Sequence, residues 1–282
     1  MTTSDRLTKW RPTMAEYLAD GSISSGFLAS AMTKGLSHAL HERHLLNGRP
    51  TTEPVLAKGA ALHAWLTRDE TVTVWAALGC KSRAGRKWHR WLDLARMRDV
   101  DVLLTQAGMN ECERSSASLT RGDTPKKKEI IAMFRAWKSW PEISHRWVPT
   151  DRDGEPVEGA VCRIRQDLVA RTPGGLWVSV QVKTTAATGI TANSWWSFWH
   201  RWYRRNAAFY RAGIRHLMAG EALKEIYVVA RLAEPYPWTW FDLTDRADEL
   251  DAIWYDELIP EIRTIAESLA RGERYGLEER GL

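Results

Sequence analysis

Two strand-forming segments joined by a tight turn constrain the fold of this chain more than any other feature. Residues 161–164 and 176–182 are apolar or alternating and rich in valine, and a Thr-Pro-Gly-Gly turn at 172–175 separates them. This pattern predicts a β-hairpin. Three more elements follow it, a helix over 192–219 and strands over 226–232 and 239–243. Strand, hairpin, helix and strand in this order predict an α/β core.

The rest of the chain is predicted to be mainly helical. The predicted helices cover residues 57–67, 129–140 and 245–271, and a fourth begins at a serine cap, Ser22, Ser24 or Ser25. Pro141 is predicted to end the helix over 129–140. Pro260 lies inside the helix over 245–271, which either tolerates this proline or bends at it. We interpret the chain as one domain, with a mainly helical part over 1–140, an α/β core over 141–243 and a C-terminal helix and tail over 244–282.

The composition excludes some classes of protein. The 282 residues are 44% hydrophobic and 27% charged, which is ordinary for a soluble globular protein. No run approaches the roughly 18 apolar residues of a membrane span, and the N-terminus has no secretion signal. We therefore expect a cytoplasmic protein without a membrane partner. Cys80, Cys112 and Cys162 lie far apart, so neither a disulfide framework nor a zinc site is expected.

The charge and the aromatic content favour a polyanionic partner. The net charge is +5, the pI is about 9.1, and many of the 16 tryptophans stand beside arginine or lysine. Basic groups interleaved with aromatic rings suit both phosphates and base faces, although most tryptophans in a globular protein belong to the core. Nucleic acid is therefore the favoured partner, but composition alone does not require it.

The hairpin carries residues that can perform metal-assisted phosphodiester hydrolysis. Asp167 follows its first strand, and alternation places Gln181 and Lys183 on one face at the end of the second, with Val182 turned into the core. An acid holds the cation and a lysine holds the attacking water or the charge that develops on phosphate. The backbone carbonyl of Val182 is a further oxygen ligand for a hard ion. The same residues at a solvated sheet edge would have no chemical role.

Five motifs occur in the order typical of one nuclease group. They are Gly-x-x-x-His at 59–63, Glu-Ile-Ser-His-Arg-Trp at 142–147, Cys-Arg-Ile-Arg-Gln-Asp at 162–167, Gln-Val-Lys-Thr-Thr at 181–185 and Asn-Ala-Ala-Phe-Tyr at 206–210. In this order the chain resembles the PD-(D/E)XK nuclease superfamily, most closely its RecE-like (exodeoxyribonuclease VIII-like) phage branch. The resemblance implies a restriction-endonuclease-like core, in which a central mixed β-sheet is flanked by helices, with a helical N-terminal region.

The resemblance also implies the site and the reaction. The implied Mg²⁺ ligands, for which Mn²⁺ is a possible substitute, are His63, Glu142, Asp167, Gln181 and the carbonyl of Val182. The implied catalytic residues are Lys183, Gln181, Asp167 and Glu142. Without the resemblance, His63 on an apolar helix would be interpreted as a buried structural histidine, and Glu142 as a surface acid. The implied activity is 5′-to-3′ exonuclease action on linear double-stranded DNA, leaving 3′ single strands for recombination.

Partners follow from the same comparison and from the basic helix. Double-stranded DNA ends are the expected substrate, and relatives act as rings beside a single-strand annealing protein, so a homo-oligomer and such a partner are implied. The helix over 192–219 carries many arginines, some of which we expect to contact phosphates. The predicted DNA-binding residues are Arg165, Arg201, Arg204, Arg205, Asn206 and Tyr210.

Three positions depart from the motifs of the branch. Gln166 replaces a proline, Asn206 replaces a glutamine, and Gln181 replaces an acid, which removes a negative charge from the metal site. Gln181 is either a tolerated variant, as in the Mrr-like branch, or the mark of a catalytically silent DNA-binding protein. An endonuclease of restriction or repair type on the same fold is the third alternative.

Overall fold

The computed structural model describes residues 20–36, 38–40, 54–67, 72–134, 139–185, 203–232, 234–235 and 237–271, together with residues 12 and 16. The α-helices within these ranges are α1 (Ser25–Lys34), α2 (Pro54–Thr67), α3 (Gly85–Met97), α4 (Gln106–Leu119), α5 (Pro125–Phe134), α6 (Arg204–Met218), α7 (Ala247–Ala252) and α8 (Ile259–Ala270). The strands are β1 (Val74–Ala77), β2 (Val102–Thr105), β3 (Ser139–Trp147), β4 (Cys162–Arg171), β5 (Trp177–Thr185), β6 (Leu223–Arg231) and β7 (Trp238–Asp242).

A five-stranded mixed sheet forms the centre of the protein. Its order is β3-β4-β5-β6-β7, with β5 and β6 parallel and the other neighbours antiparallel. Helix α6 lies between the two parallel strands in the chain, as a parallel pair requires a crossover connection. This confirms an α/β fold with a central mixed sheet flanked by helices.

Both faces of the sheet are buried. One face packs against α1, α6 and the C-terminal helices, with Ile164, Phe209 and Ile262 in that core. The other face packs against α2, α4 and α5, and Leu62 and Val182 belong to that second core. Because apolar side chains alternate between two covered faces, the sheet strands are apolar on both sides. The site residues are thereby held between two packed layers.

The predicted hairpin is confirmed, but its strands are longer than expected. Gly175 N–H donates to Thr172 O at 2.9 Å, which closes the predicted turn between β4 and β5. Asp167 and Lys183 were predicted at strand ends, yet both lie inside strands. The prediction ended each strand where polar residues interrupt the apolar pattern. In the structure these polar residues are part of a buried site, so the strands continue through them.

The helix predicted over 129–140 is confirmed to Phe134 and is wrong at residues 139–140, while residues 135–138 lie outside the described residues. Helix α5 ends at Phe134, and β3 begins at Ser139, so Pro141 and Glu142 lie in a strand. Pro141 is tolerated there because β3 is an edge strand of the sheet, where a missing N–H costs no ladder bond. Glu142 therefore reaches the site from a strand and not from a helix end.

A second, two-stranded parallel sheet was not predicted. Strands β1 and β2 pair in parallel, with α3 between them, within the region that was expected to be helical. Each strand has only four residues, too few to show a clear period in the sequence. Helix α2 packs against β2 and α4 on one side and against β5 on the other, which joins this βαβ unit to the main sheet.

Helical structure is continuous over 247–270, which agrees with the helix predicted over 245–271, but part of it is π-helical. A 3₁₀ turn at Thr244–Arg246 and α7 lead into a π-helical segment at Ile253–Leu258, which precedes α8 with Pro260 in its first turn. Proline is acceptable in the first turn of a helix, where its missing N–H has no partner to lose. Of the helix predicted over 192–219, residues 192–202 lie outside the described residues. None of the helices in the described ranges has the length and apolar character needed to cross a membrane.

Candidate metal centre and active site

The site lies where two strands of the sheet part. Registered pairing between β4 and β5 runs from Arg171–Trp177 to Leu168–Val180 and stops there. Beyond that point side chains replace the ladder bonds: Gln166 Nε2–H donates to Val180 O at 2.8 Å, and Val182 N–H donates to Asp167 Oδ2 at 2.5 Å. The Asp167 carboxylate is therefore fixed by a backbone donor inside the gap.

Glu142 stands opposite Asp167 on the neighbouring strand. In the pairing of β3 with β4, Pro141 lies opposite Leu168 and Ile143 lies opposite Gln166. Glu142 therefore faces Asp167. Glu142 has a φ of 49°, a left-handed conformation that is rare for a residue other than glycine. Strain of this kind persists only where the surroundings impose it and is frequent at functional sites.

Arg165 holds Glu142 from one side. Its Nε–H donates to Glu142 Oε2 at 2.8 Å, and the side chains are only 7% and 11% exposed. Two carboxylates on adjacent strands repel each other unless cations lie nearby. Arg165 supplies one such cation, so in this structure it orients a candidate metal ligand. A contact between Arg165 and DNA stays a prediction.

His63 reaches the two carboxylates from α2, on the far face of the sheet. Its Nδ1 is 3.3 Å from Asp167 Oδ1 and 3.9 Å from Glu142 Oε1, while Nε2 lies 2.6 Å from Val182 O. Gly59, one turn earlier, allows this approach, because a Cβ there would lie 2.7 Å from Thr184 Oγ1. The Gly-x-x-x-His motif thus combines a close helix–strand contact with a histidine aimed into the gap.

The neighbouring carboxylates favour the positively charged form of the His63 imidazole in the metal-free protein. Burial by itself lowers its pKa, but the carboxylates of Asp167 and Glu142 outweigh burial and raise the pKa to about 10. Both ring nitrogens then donate, Nδ1 toward the carboxylates and Nε2 to the carbonyl of Val182. A proton at Nδ1 thus occupies the position where a cation would be held.

These groups fit a divalent metal ion. One ligand atom from each of His63, Glu142 and Asp167 lies within 4.8 Å of the others. Imidazole nitrogen and carboxylate oxygens suit Mn²⁺, and the carboxylates suit Mg²⁺. The Nε2–H bond to Val182 O is the kind of second contact that orients a metal-binding histidine. A divalent metal is therefore compatible with this group, and its identity stays a prediction.

Lys183 and Gln181 share one face of β5, as strand alternation predicted, and this face is opposite to the one that His63 contacts. Lys183 Nζ donates to Gln181 Oε1 at 3.0 Å, and its ammonium lies 5.3 Å from the Tyr210 ring and 5.7 Å from the Tyr227 ring. Burial lowers the pKa of Lys183, although the negative charges of Asp167 and Glu142 oppose this effect. The lysine is thereby held beside the acidic group by an amide and two aromatic faces.

Residues of α6 support this lysine. Tyr210 covers its ammonium, and Asn206 accepts from Tyr227 O–H at 3.3 Å while donating to Ser25 Oγ at 2.9 Å. Between α1 and α6 lies a cavity of about 270 Å³ with Lys183, Asn206, Ser25 and Arg205 in its lining. The cavity adjoins the site and places polar and basic groups next to Lys183.

The arginines expected to contact DNA are occupied by carboxylates where the structure describes them. Arg204 pairs with Glu249, and Arg205 Nε lies 2.8 Å from Glu257 Oε2. Arg201 lies outside the described residues. Contacts between these arginines and DNA stay predictions.

Most predicted site residues meet in one place. His63, Glu142, Asp167, Gln181, Val182, Lys183, Asn206 and Tyr210 all contribute to the parted region or its lining. Tyr227 and Ser25 were not predicted as residues of the site. A signal for Tyr227 is present in the sequence, since it is an aromatic residue with a polar tip in a predicted apolar strand. The pairing of Tyr227 with Gln181 across the parallel strands β5 and β6 is a feature of the structure that the sequence did not predict.

Known proteins resemble this chain in structure and not in sequence. No family model matches the chain, and no curated protein matches it. A crystal structure of a "putative exonuclease" from Eubacterium rectale superposes with a TM-score of 0.54 at 13% identity, over 92% of this chain and 88% of that one. The two proteins therefore share a fold. A second crystal structure, SSO0001, has a TM-score of 0.27 at 13% identity over 78% of this chain and 89% of that one, too low to carry an argument.

Proposed function

We propose that the protein is a metal-dependent deoxyribonuclease of the PD-(D/E)XK type. The observation that carries this proposal is the group of His63, Glu142 and Asp167 within 4.8 Å, with the partly buried Lys183 beside it. The fold shared with the Eubacterium rectale protein supports the proposal. Perturbed titratable groups gathered in one region are typical of active sites.

His63, Glu142 and Asp167 would hold Mg²⁺, with Mn²⁺ as a substitute. The bound ion would supply an acidified water and neutralise charge on the phosphate. Asp167 keeps its orientation through Val182 N–H, and Glu142 through Arg165. These fixed contacts would reduce the reorganisation needed when substrate binds.

Lys183 would act on the attacking water and on the phosphate charge. Burial lowers its pKa, so it gives up a proton more readily than a solvated lysine. In its ammonium form it would stabilise the negative charge that develops on the phosphate oxygens. Gln181 would position the amine through its 3.0 Å contact, and its amide carbonyl would be available as a weaker metal ligand than an acid.

The finer function that we propose is a 5′-to-3′ exonuclease acting on linear double-stranded DNA and leaving 3′ single strands for phage-type recombination. Its support is the RecE-like motif order, together with the cavity of about 270 Å³ that has Lys183 in its lining. A homo-oligomer and a single-strand annealing partner belong to the same proposal and rest on the resemblance alone.

One observation favours a second candidate function. Gln181 carries no charge, so the metal group has one acid fewer than the motif of the branch. A protein that binds DNA without cutting it would retain the fold and the basic surface. An endonuclease on the same fold is distinguished from an exonuclease by its action on closed circles.

Cleavage of matched linear and circular substrates tests the proposal. End-labelled linear duplex and closed circular duplex are incubated with Mg²⁺, Mn²⁺ or EDTA, using wild type and Lys183→Met. We expect cleavage of the linear duplex alone, abolished by EDTA and lowered at least about 100-fold in the variant. Cutting of the circle would indicate an endonuclease. Binding without metal-dependent cleavage would indicate the silent alternative.

A further inference from the structure

The βαβ unit carries a concentrated positive charge that the proposed site does not use. Residues 81–99 contain seven arginines and lysines and two aspartates. Lys81, Arg86, Lys87 and Arg90 are all exposed, at the end of β1 and along the first half of α3. The buried side of α3, with Trp88 and Ala95, packs toward β1. The basic side chains therefore project from an ordered helix and the loop before it.

These cations differ from the arginines of α6 in their surroundings. Within the described ranges, no carboxylate forms an ion pair with Lys81, Arg86, Lys87 or Arg90. On α6, by contrast, Arg204, Arg205, Arg211 and Arg215 all contact acidic side chains. Among the described residues, Arg86 and Arg90 of α3 are thus available for an external anion, whereas Arg96 pairs with Asp93 and the arginines of α6 already have internal partners.

The position of the charge is unfavourable for the isolated helix. The first turn of α3 contains Arg86 and Lys87 and no acidic residue. A cation at the positive end of a helix dipole is disfavoured. Local rules are most often broken at functional sites, where another interaction offsets the cost. Phosphate groups at this surface would provide such an interaction.

The surface is also fixed relative to the proposed metal site. Helix α2, which carries His63, packs against β2 of the βαβ unit and against β5 of the main sheet. Arg86 and Arg90, four residues apart, share one face of α3 and span one helical turn. Arginines on a rigid helix suit contacts with successive phosphates of a backbone, which position a duplex without reading its sequence.

We propose that the exposed face of α3 and the loop over residues 81–84 bind the phosphate backbone of duplex DNA outside the bond that is cut. This inference rests on the proposed function, since it identifies a second contact for the same substrate. The surface would keep the duplex on the protein while the site acts on its end.

Binding measured without cleavage tests this surface independently of catalysis. Fluorescence anisotropy with a blunt duplex in EDTA gives the affinity over a range of salt concentrations. We compare wild type, Arg86→Ala/Arg90→Ala and the matched pair Arg152→Ala/Arg263→Ala. The latter two arginines are exposed but ion-paired with Asp256 and Asp151. Circular dichroism and size-exclusion chromatography on all three proteins report folding and assembly.

We expect the slope of log K against log salt to become shallower by about 2 in the α3 variant, because each lost phosphate contact changes it by about 1. The matched pair should keep the wild-type slope. Equal slopes in all three proteins, or equal losses in both variants, would overturn the inference. A change of assembly state in the α3 variant alone would also overturn it, and would instead assign this face, with the exposed Leu94 and Met97, to contacts between copies.

If the wild type binds DNA with the expected slope difference but never cleaves it, the proposed function fails while this surface stands. If the wild type cleaves DNA but the α3 variant keeps the wild-type salt slope, the proposed function stands while this surface fails.

Discussion

At the scale of single residues, the backbone of Val182 joins the components of the site. Its N–H fixes Asp167 and its carbonyl accepts from His63. The side chain of a valine has no group that binds a metal or transfers a proton. A role for Val182 in the site was therefore predicted only from strand alternation and from the resemblance. The sequence therefore allowed us to predict which residues belong to the site. It did not reveal that Val182 O lies 2.6 Å from His63 Nε2.

Glu142 is a second residue whose place in the site was predicted while its surroundings were not. Its carboxylate was predicted as a ligand by motif order, and the structure brings it within the same group. Its left-handed backbone and its contact with Arg165 depend on the pairing of β3 with β4, which are separated in sequence. Patterns of neighbouring residues do not reveal pairing between strands that are distant in the sequence. The prediction therefore placed Glu142 after a helix.

The charge of His63 predicts how the stability of the metal-free protein depends on pH. Burial lowers its pKa but the two carboxylates raise it to about 10, compared with 6.5 for an unperturbed histidine. The folded state thus holds the proton more tightly than the unfolded state. The resulting stabilisation is complete below pH 6.5 and is lost as the pH rises through 10.

Urea unfolding in EDTA between pH 6.5 and 10 measures this effect. The free energy of unfolding should fall over that window in wild type and change less in His63→Gln. The same proton competes with a cation, so metal affinity should rise with pH in wild type. An identical pH dependence in the two proteins would contradict a charged His63.

Replacing Gln181 by glutamate restores the acid of the motif. Gln181 Oε1 lies 3.0 Å from Lys183 Nζ, so the new carboxylate would raise the pKa of Lys183 and add a charged oxygen ligand. We expect half-maximal cleavage at about tenfold less Mg²⁺, which corresponds to about 1.4 kcal/mol. The alkaline limb of the pH–rate profile should move upward.

Gln166→Glu is the matched control for that change. Gln166 is fully buried and its amide donates to Val180 O, so a carboxylate there removes a donor and buries a charge. It should lower stability without tightening Mg²⁺ dependence. Equal Mg²⁺ dependence of Gln181→Glu and wild type would show that residue 181 lies outside the reach of the metal.

At the scale of elements, the parting of β4 from β5 creates the site. The gap admits His63 from α2 on one face of the sheet and Lys183 on the other. Sequence periodicity predicted that two strands and a turn exist, since apolar alternation and the Thr-Pro-Gly-Gly turn are local signals. It could not predict where the pairing stops, because that depends on the buried polar side chains Gln166 and Asp167 replacing ladder bonds.

The contact between Gly59 and Thr184 sets the distance between α2 and β5. Alanine in a helix is favoured over glycine by about 1 kcal/mol, but a Cβ at Gly59 would lie 2.7 Å from Thr184 Oγ1. We expect the clash to prevail, so that Gly59→Ala loses about 1 kcal/mol of stability and needs more Mg²⁺. In Gly59→Ala/Thr184→Ala both losses should be reversed, as measured by thermal unfolding and Mg²⁺ titration of activity.

Gly213→Ala is the corresponding control on the opposite helix. A Cβ there would lie 2.7 Å from Trp147 Cη2, in the core between α6 and the sheet. It should lower stability by a similar amount without changing the Mg²⁺ requirement. If both glycine variants alter the Mg²⁺ requirement equally, the effect is general destabilisation and the proposed role of Gly59 is wrong.

At the scale of the whole molecule, the N-terminal region does more than supply a helix. The βαβ unit formed by β1, α3 and β2 is connected to the sheet through α2, so the candidate ligand His63 and the basic face of α3 belong to connected elements. The general α/β class was predictable because strands, turns and long helices have local patterns. The small parallel sheet was not predictable, since four-residue strands are stabilised by their burial beneath α2 and α4 and not by their own sequence.

A Mn²⁺ titration followed by electron paramagnetic resonance tests the metal centre without relying on cleavage. We expect a saturable site in wild type, and an affinity for Mn²⁺ lowered at least about tenfold in Asp167→Asn, since a charged ligand is lost. Lys183→Met should retain Mn²⁺ binding while losing cleavage of linear duplex DNA. No saturable site in wild type, or equal affinity in Asp167→Asn, would contradict a metal centre built by His63, Glu142 and Asp167.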